Sequence, residues 1–317
     1  MSTPGAPDAP RPGAVRFGLA PVNWNNDDVP EWGQTRPYAR LAAEAAALGY
    51  EGLEAGTGAP EDARELRALL AAHGLRLPGA YVWARLSEPA TADGEVARLT
   101  LEARRLAAAG ADALLVAEHW TPERRAVAGR AGEHPELALP PDRLGCLCRA
   151  LDELGRRCRE TGLRLALHHH VGTPVETPDE VEAVMAGTDP GSVGLCLDTG
   201  HTVFGGGDAL EAARRHGDRV VYVHAKDVDP AALRDARSGR MGLLDGLRRG
   251  VFAPVFGPGG GAVDLPAVAG ALRRAGFHGW VIMECDRNPR TGDPSAEARS
   301  ALPHLRRAFA APAPPRA

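Results

Sequence analysis

Two runs of the chain, VGLCLDTGH (193–201) and VVYVHAKD (220–227), decide its architecture. Each opens with a short continuous apolar stretch of strand character and then turns abruptly polar. Between them an Ala/Leu/Arg-rich segment of helical period ends near Gly217. A strand that is apolar on both faces, a covering helix and a second such strand form the repeating unit of a parallel sheet.

The same unit recurs along the chain. Strands are expected at 15–20, 52–54, 77–81, 113–117, 163–167, 193–197, 220–223 and 280–283, alternating with helices that include 38–48, 61–73, 95–109, 142–161 and 265–275. Gly49, Gly74, Gly110, Gly162, Gly191, Gly217 and Gly276 stand between helix and strand, where a left-handed residue commonly ends a helix. Eight strands alternating with helices describe a (β/α)8 TIM barrel. The rival, a doubly wound sheet, lacks its glycine fingerprint, because Pro21-Val22-Asn23-Trp24 follows the first strand. Two long connections, 119–141 and 227–264, both follow strands and so fall on the catalytic face; the second carries Gly257-Pro258-Gly259-Gly260-Gly261 and reads as flexible. The expected organisation is one barrel domain over 15–310, a disordered tail at 1–14 and a mobile tail at 311–317.

Composition narrows the function. The 317 residues are 44% hydrophobic and 25% charged, enough for a full core, with a formal net charge of −4. No basic excess points to nucleic acid or an anionic membrane, and no apolar run reaches the roughly 18 residues of a spanning helix. The first twelve residues lack the pattern of a signal peptide, so the expected location is the cytoplasm. Cys146, Cys148, Cys158, Cys196 and Cys285 are scattered and read as reduced core thiols. Oligomeric state is left open, a homo-oligomer included.

The chemistry gathers at the strand ends. They read Glu54, Glu118-His119, His168-His169-His170, Asp198-Thr199-Gly200-His201, His224-Ala225-Lys226-Asp227 and Glu284-Cys285-Asp286. Alternation puts Asp198, His224, Lys226, Glu284, Asp286, His168 and His170 on the inward face and turns His169 toward the helices. Carboxylate, imidazole and carboxylate from neighbouring strands suit one divalent cation, Mn²⁺ or Co²⁺ before Mg²⁺ or Zn²⁺. Plainer readings stand beside this one: Asp198 could cap the following helix, and Glu284 could pair with an arginine. His73, His216, His278 and His304 read as surface or helix-end residues.

These motifs resemble those of the xylose-isomerase-like sugar isomerase/epimerase superfamily. Leu197-Asp198-Thr199-Gly200-His201, Val223-His224-Ala225-Lys226-Asp227 and Ile282-Met283-Glu284 carry the likeness, which runs from about Val15 to His304. Within it the chain is most similar to the inosose dehydratases of myo-inositol breakdown, through residues 19–28, His168-His169-His170-Val171-Gly172-Thr173 and Asp198-Thr199-Gly200-His201. The resemblance implies that Asp198, His224 and Glu284 bind the metal. The superfamily's fourth ligand is a glutamate at the end of strand five, where this chain has His168. Either His168 ligates or Glu176 of the following loop swings in; Glu176 is favoured, because a third carboxylate would hold a divalent ion better. The resemblance also argues against the related DNA-repair endonucleases, since strands two and three end without the extra histidines of a metal cluster.

The expected reaction is dehydration of a cyclic keto-polyol through an enediolate, with keto-sugar isomerisation or epimerisation on the same metal as the alternative and a non-enzymatic sugar-binding barrel as the third. Glu284 or His168 would be the base and His201 the proton donor or a substrate ligand. Lys226, the only lysine among 37 basic residues, reads as a compact ammonium retained for catalysis. Asn25 and Asp28 in the Asn25-Asn26-Asp27-Asp28 run, with Glu118 and His170, are candidate substrate-binding groups for a small polyol or keto-sugar.

Overall fold

Strands that are apolar on both faces need cover on both, and in the computed structural model helices and the barrel interior supply it. The structure describes residues 14–26, 28–32, 36–253 and 260–310. Outside that set lie the two expected tails (save Ala14), Asp27 of the polar run, and Gly257, Pro258 and Gly259 of the glycine loop. The strands are β1 (Arg16–Leu19), β2 (Gly52–Leu53), β3 (Gly79–Ala84), β4 (Ala113–Glu118), β5 (Arg164–His168), β6 (Val193–Asp198), β7 (Val220–Ala225), β8 (Asp227–Val228), β9 (Phe252–Ala253) and β10 (Trp280–Met283). Eight of them form one parallel sheet in the order β2-β1-β10-β7-β6-β5-β4-β3. Its two end strands meet through parallel bridges, Gly52 to Arg76 and Ala55 to Ala80, which close the ring. The expected (β/α)8 barrel is therefore present.

Boundaries shift for identifiable reasons. The third strand starts at Gly79, two residues later than expected, because Pro78 has no N–H for the ladder. The fifth extends to His168, which pairs with Cys196 of β6 and so becomes part of the barrel wall. Of the seven junction glycines, Gly49, Gly74, Gly110, Gly162 and Gly276 adopt positive φ, whereas Gly217 is right-handed at φ −55°.

The core has two layers. Leu115, Ala166, Cys196, Tyr222, Trp280 and Ile282 fill the barrel interior. Leu41, Leu66, Leu99, Leu151, Val268 and Leu305 belong to the layer between sheet and helices. All five cysteines are free and buried.

The two long connections carry secondary structure of their own, while the glycine stretch expected to be flexible lies mostly outside the described residues. The first forms a helix at Pro122–Ala126 and turns at Ala131–Glu133 and Pro135–Leu137. The second holds helices Pro230–Ser238 and Leu243–Arg249 and the antiparallel pair β8–β9. Leu243, Leu247, Val251 and Phe252 bury against Val29 and Phe204, building a small separate core over the mouth of the barrel. Apolar burial, invisible to a local reading of turn residues, orders this segment. Among the described residues no helix is long and apolar enough to cross a membrane.

Candidate active site

Parallel pairing brings the polar strand ends to one level: Asp198 is the register partner of His224, and His224 lies opposite Ile282, two residues before Glu284. Asp198 puts its two oxygens in different surroundings, and one of them makes the expected helix cap. Its Oδ1 accepts from the His201 amide at 2.7 Å, capping the helix Thr199–Phe204. Its Oδ2 is buried and accepts no hydrogen bond from the described residues. Glu284 divides in the same way: Oε1 accepts from Lys226 Nζ at 2.9 Å, while Oε2 is buried without a hydrogen bond. Oε2 does approach His224 Nδ1 to 2.6 Å, a close contact whose angle is not that of a hydrogen bond.

Two imidazole nitrogens complete the group. His168 Nε2 stands 3.2 Å from His224 Nδ1 and 3.6 Å from Asp198 Oδ2, and His224 Nδ1 is 3.7 Å from that oxygen. Ligands bound at about 2.0–2.3 Å to one divalent ion sit roughly 3 Å from each other. Asp198, His224 and Glu284 each offer a ligand atom within 4.8 Å of the others, with His168 Nε2 beside Asp198 and His224, and this O/N set fits such an ion and suits Mn²⁺, Co²⁺, Mg²⁺ or Zn²⁺. The buried Cys196 thiol groups with His168 and His224 at the same spacing.

Charge is managed from beneath. Lys226 is fully buried, with Nζ 2.6 Å from Asp286 Oδ2, 2.9 Å from Glu284 Oε1 and 3.5 Å from Asp198 Oδ2. Burial opposes its charge, but Asp198, Asp286 and Glu284 outweigh it and raise its pKa well above the ordinary value. Burial would favour the neutral form of Asp198, but Lys226 and His201 hold its carboxyl well below the usual range. Gly200 makes room: a Cβ there would come within 2.6 Å of the lysine side chain. The same ammonium lies 4.7 Å above the Phe252 ring.

Above these residues opens a cavity of about 510 Å³, with His168, His224, Glu284, Asp286 and Glu54 among its lining residues. Its walls include Tyr81, Trp83, Trp120 and His170, and Asp28 and Arg125 meet at its edge, 3.2 Å apart. Arg125 stacks over Trp120 at 4.1 Å. His170 is buried; its Nδ1 is 2.8 Å from the Val171 carbonyl, so that nitrogen carries the hydrogen and Nε2 the lone pair. Burial keeps its pKa well below the ordinary value.

Several expected residues have other work. Glu176 is not brought to the metal group: its Oε2 accepts from the Gly172 amide at 2.6 Å and its Oε1 from the Gly129 amide at 2.8 Å. Both glycines have left-handed φ, so two special turns present their N–H groups to one carboxylate. Glu118 does not line the cavity either; it accepts from the Leu86 and Ser87 amides and from Ser87 Oγ. Asn25 reaches the cavity wall, but its amide grips the Arg36 backbone at both N (2.6 Å) and O (2.9 Å). His201 and Lys226 lie below the cavity rather than on its wall, with His201 Nε2 3.1 Å from Lys226 Nζ. His169 turns outward, its Nε2 3.4 Å from Thr202 Oγ1.

Sequence reasoning passed over Glu54, Tyr222, Arg125 and the aromatic walls. Glu54 carried a signal, an acidic residue ending a strand, but no motif partner nearby in the chain. Its Oε1 receives the Tyr222 hydroxyl at 2.7 Å and lies 3.0 Å from His224 Nε2.

Comparison with known proteins follows this geometry. Residues 42–308 match the family model described as xylose isomerase-like TIM barrel. The rhizopine catabolism protein MocC of Rhizobium meliloti is 33% identical over 298 residues, covering 94% of this chain and 90% of its own. The inosose dehydratase of Lacticaseibacillus casei is 31% identical over 291 residues, covering 92% and 96% respectively. Among solved structures, the D-allulose 3-epimerase of Methylomonas sp. in complex with D-allulose superposes with a TM-score of 0.63 at 18% identity, over 94% of this chain and 98% of that one.

Proposed function

The chain belongs to the xylose isomerase-like TIM barrel family, and on that premise we propose that it is a metal-dependent lyase that removes water from a cyclic keto-polyol. That it is a sugar-modifying enzyme of the dehydratase or isomerase/epimerase kind rests on relatives aligned over more than nine-tenths of its length. These relatives leave the binding-barrel alternative without support. The observation that carries the metal-dependent reading is the pair of buried, unbonded carboxylate oxygens, Asp198 Oδ2 and Glu284 Oε2, facing His168 Nε2 and His224 Nδ1.

His168, Asp198, His224 and Glu284 would hold the ion, with His168 in the place expected for Glu176. When bound, such an ion supplies a Lewis acid that polarises a ketone and acidifies the hydrogen on the neighbouring carbon. The rest falls to the chain. Lys226 holds Glu284 and Asp286 in place and offsets their charge. His170 offers Nε2, on a neutral ring held by its Nδ1 hydrogen bond and by Trp83 at 5.0 Å, as the atom that takes a proton from the substrate or returns one to a departing hydroxyl. In this reading the base expected at Glu284 or His168 is His170 instead, because both of those side chains would hold the ion. Tyr81, Trp83 and Trp120 give apolar faces for the C–H surface of a ring and keep water from the reacting carbon.

The test uses metal-stripped protein reloaded with Mn²⁺ or Co²⁺ and incubated with a panel of keto-inositols and ketohexoses. A product lighter by one water from a keto-inositol is expected. Conserved mass with an epimerised ketohexose would replace the lyase by an epimerase on the same site. Failure of the protein to bind either ion would remove the metal reading itself.

A further inference from the structure

Resting on that metal reading, we propose that Glu54 is a positioning residue that decides which nitrogen of His224 faces the ion. Glu54 follows β2, three strands around the ring from β7, and its side chain crosses the barrel to reach Tyr222 and His224. A carboxylate only accepts, so at 3.0 Å from Glu54 Oε1 the His224 Nε2 must carry hydrogen. In the neutral ring, the form in which an imidazole binds a metal, this assigns the lone pair to Nδ1, the nitrogen that faces His168, Asp198 and Glu284.

The arrangement is braced on every side. Tyr222 precedes His224 by two residues on the same strand face and donates to the same Oε1 at 2.7 Å, so both lone pairs of that oxygen are engaged. The Tyr222 side chain is fully buried, and Glu54 is the acceptor of its hydroxyl. The Glu54 backbone is tied in turn: its carbonyl accepts the Tyr38 hydroxyl at 2.8 Å and its amide donates to Leu19 at 3.0 Å. Glu54 and His224 side chains are 4% and 3% exposed, so little bulk water reaches this bond. An outer carboxylate of this kind fixes the ring and raises the basicity of the ligating nitrogen, and its loss typically costs 10–100-fold in metal affinity.

Two readouts test this, one without metal. In metal-free protein labelled with ¹⁵N-histidine, the His224 Nε2–H should give a slowly exchanging, hydrogen-bonded resonance, assigned by its loss in His224→Asn. Glu54→Ala should abolish that resonance and weaken Co²⁺ binding, followed by visible absorption, 10–100-fold. Glu54→Gln, whose amide oxygen can accept from both donors, should recover the resonance and most of the affinity. If Glu54→Ala does not fold, Glu54→Asp serves: its shorter side chain withdraws the oxygen and should cost several-fold in Co²⁺ affinity. A retained resonance with Co²⁺ affinity within threefold of wild type, in Glu54→Ala or Glu54→Asp, would overturn the proposal. Wild-type protein that binds no Co²⁺ would instead sink the metal reading, while the resonance still reports on Glu54.

Discussion

Asp112 and Asp198 lie toward opposite ends of the barrel strands and show what a barrel does with a carboxylate at each. Asp112, just before β4, is fully engaged: Oδ1 faces Arg76 at 3.4 Å, and Oδ2 meets Arg16 at 3.2 Å and the Trp280 indole at 2.6 Å. Asp198, the last residue of β6, is more deeply buried yet leaves Oδ2 with no hydrogen bond. An unsatisfied buried polar atom costs roughly 1–3 kcal/mol, more when charged, a cost that the upper face carries beside His168 and His224 and that Asp112 avoids. The lower face of a barrel serves stability and the upper face chemistry, and here the difference is visible atom by atom.

The comparison breaks most sharply at Glu284. Glu284→Gln should cut turnover by about 10²–10³-fold or more and weaken Mn²⁺ binding, because it removes a charged donor from the group. Near-normal kcat with full metal occupancy would dismiss Glu284 as a ligand.

Next comes Lys226. Lys226→Met leaves Asp198, Glu284 and Asp286 facing one another without a cation, and breaking a buried ion cluster costs about 3–5 kcal/mol. Lys226→Arg should also destabilise, since Gly200 already packs tightly on the lysine stem and a larger head has no room. Urea unfolding of the metal-free protein measures both. An unchanged midpoint in Lys226→Arg would mean that the pocket is roomier than its geometry states.

At the lower face, Asp112→Asn should cost about 2–3 kcal/mol of stability, seen in the same urea experiment, while metal affinity and turnover remain at wild-type levels. A large loss of metal affinity there would end the separation of the two faces.

The smallest effect sharpens the comparison within the upper face. Glu118 is satisfied by three donors, yet burial pushes its pKa up to about 7. Its folded-state value thus lies above that of the unfolded chain. Between about pH 4.5 and pH 7 the unfolded state gives up the proton before the folded state does, so stability falls across that window and levels above it. A tenfold difference in proton affinity between the two states is worth about 1.4 kcal/mol, so each pH unit of that window costs at most about that much. Glu118→Gln should flatten this slope in unfolding curves taken from pH 4.5 to 8; an identical slope in the variant would assign it to other groups.

Asp198, His224, Glu284 and His168 were all legible from the chain, because strand alternation sends every second residue inward and each stands where an apolar run ends. What occupies Glu176 was not legible: left-handed turns at Gly129 and Gly172, from segments far apart in sequence, supply two amides to its carboxylate. Lys226 was conspicuous by composition, but its surroundings, Asp286 and the space left by Gly200, come from other elements. Glu54 gave only a weak signal, because its partners Tyr222 and His224 lie more than 160 residues away.

Local pattern by itself determined the architecture: periodic burial chooses strand or helix, and short connections between parallel strands leave a closed barrel as the outcome that covers every apolar face. It also determined which strand ends hold ionisable groups. Only the tertiary structure decided how each of those groups is used, because the role of a buried carboxylate depends on how many donors reach its two oxygens. That number is set by the curvature of the sheet and by loops from distant parts of the chain, at distances of about 3 Å that no spacing along the sequence encodes.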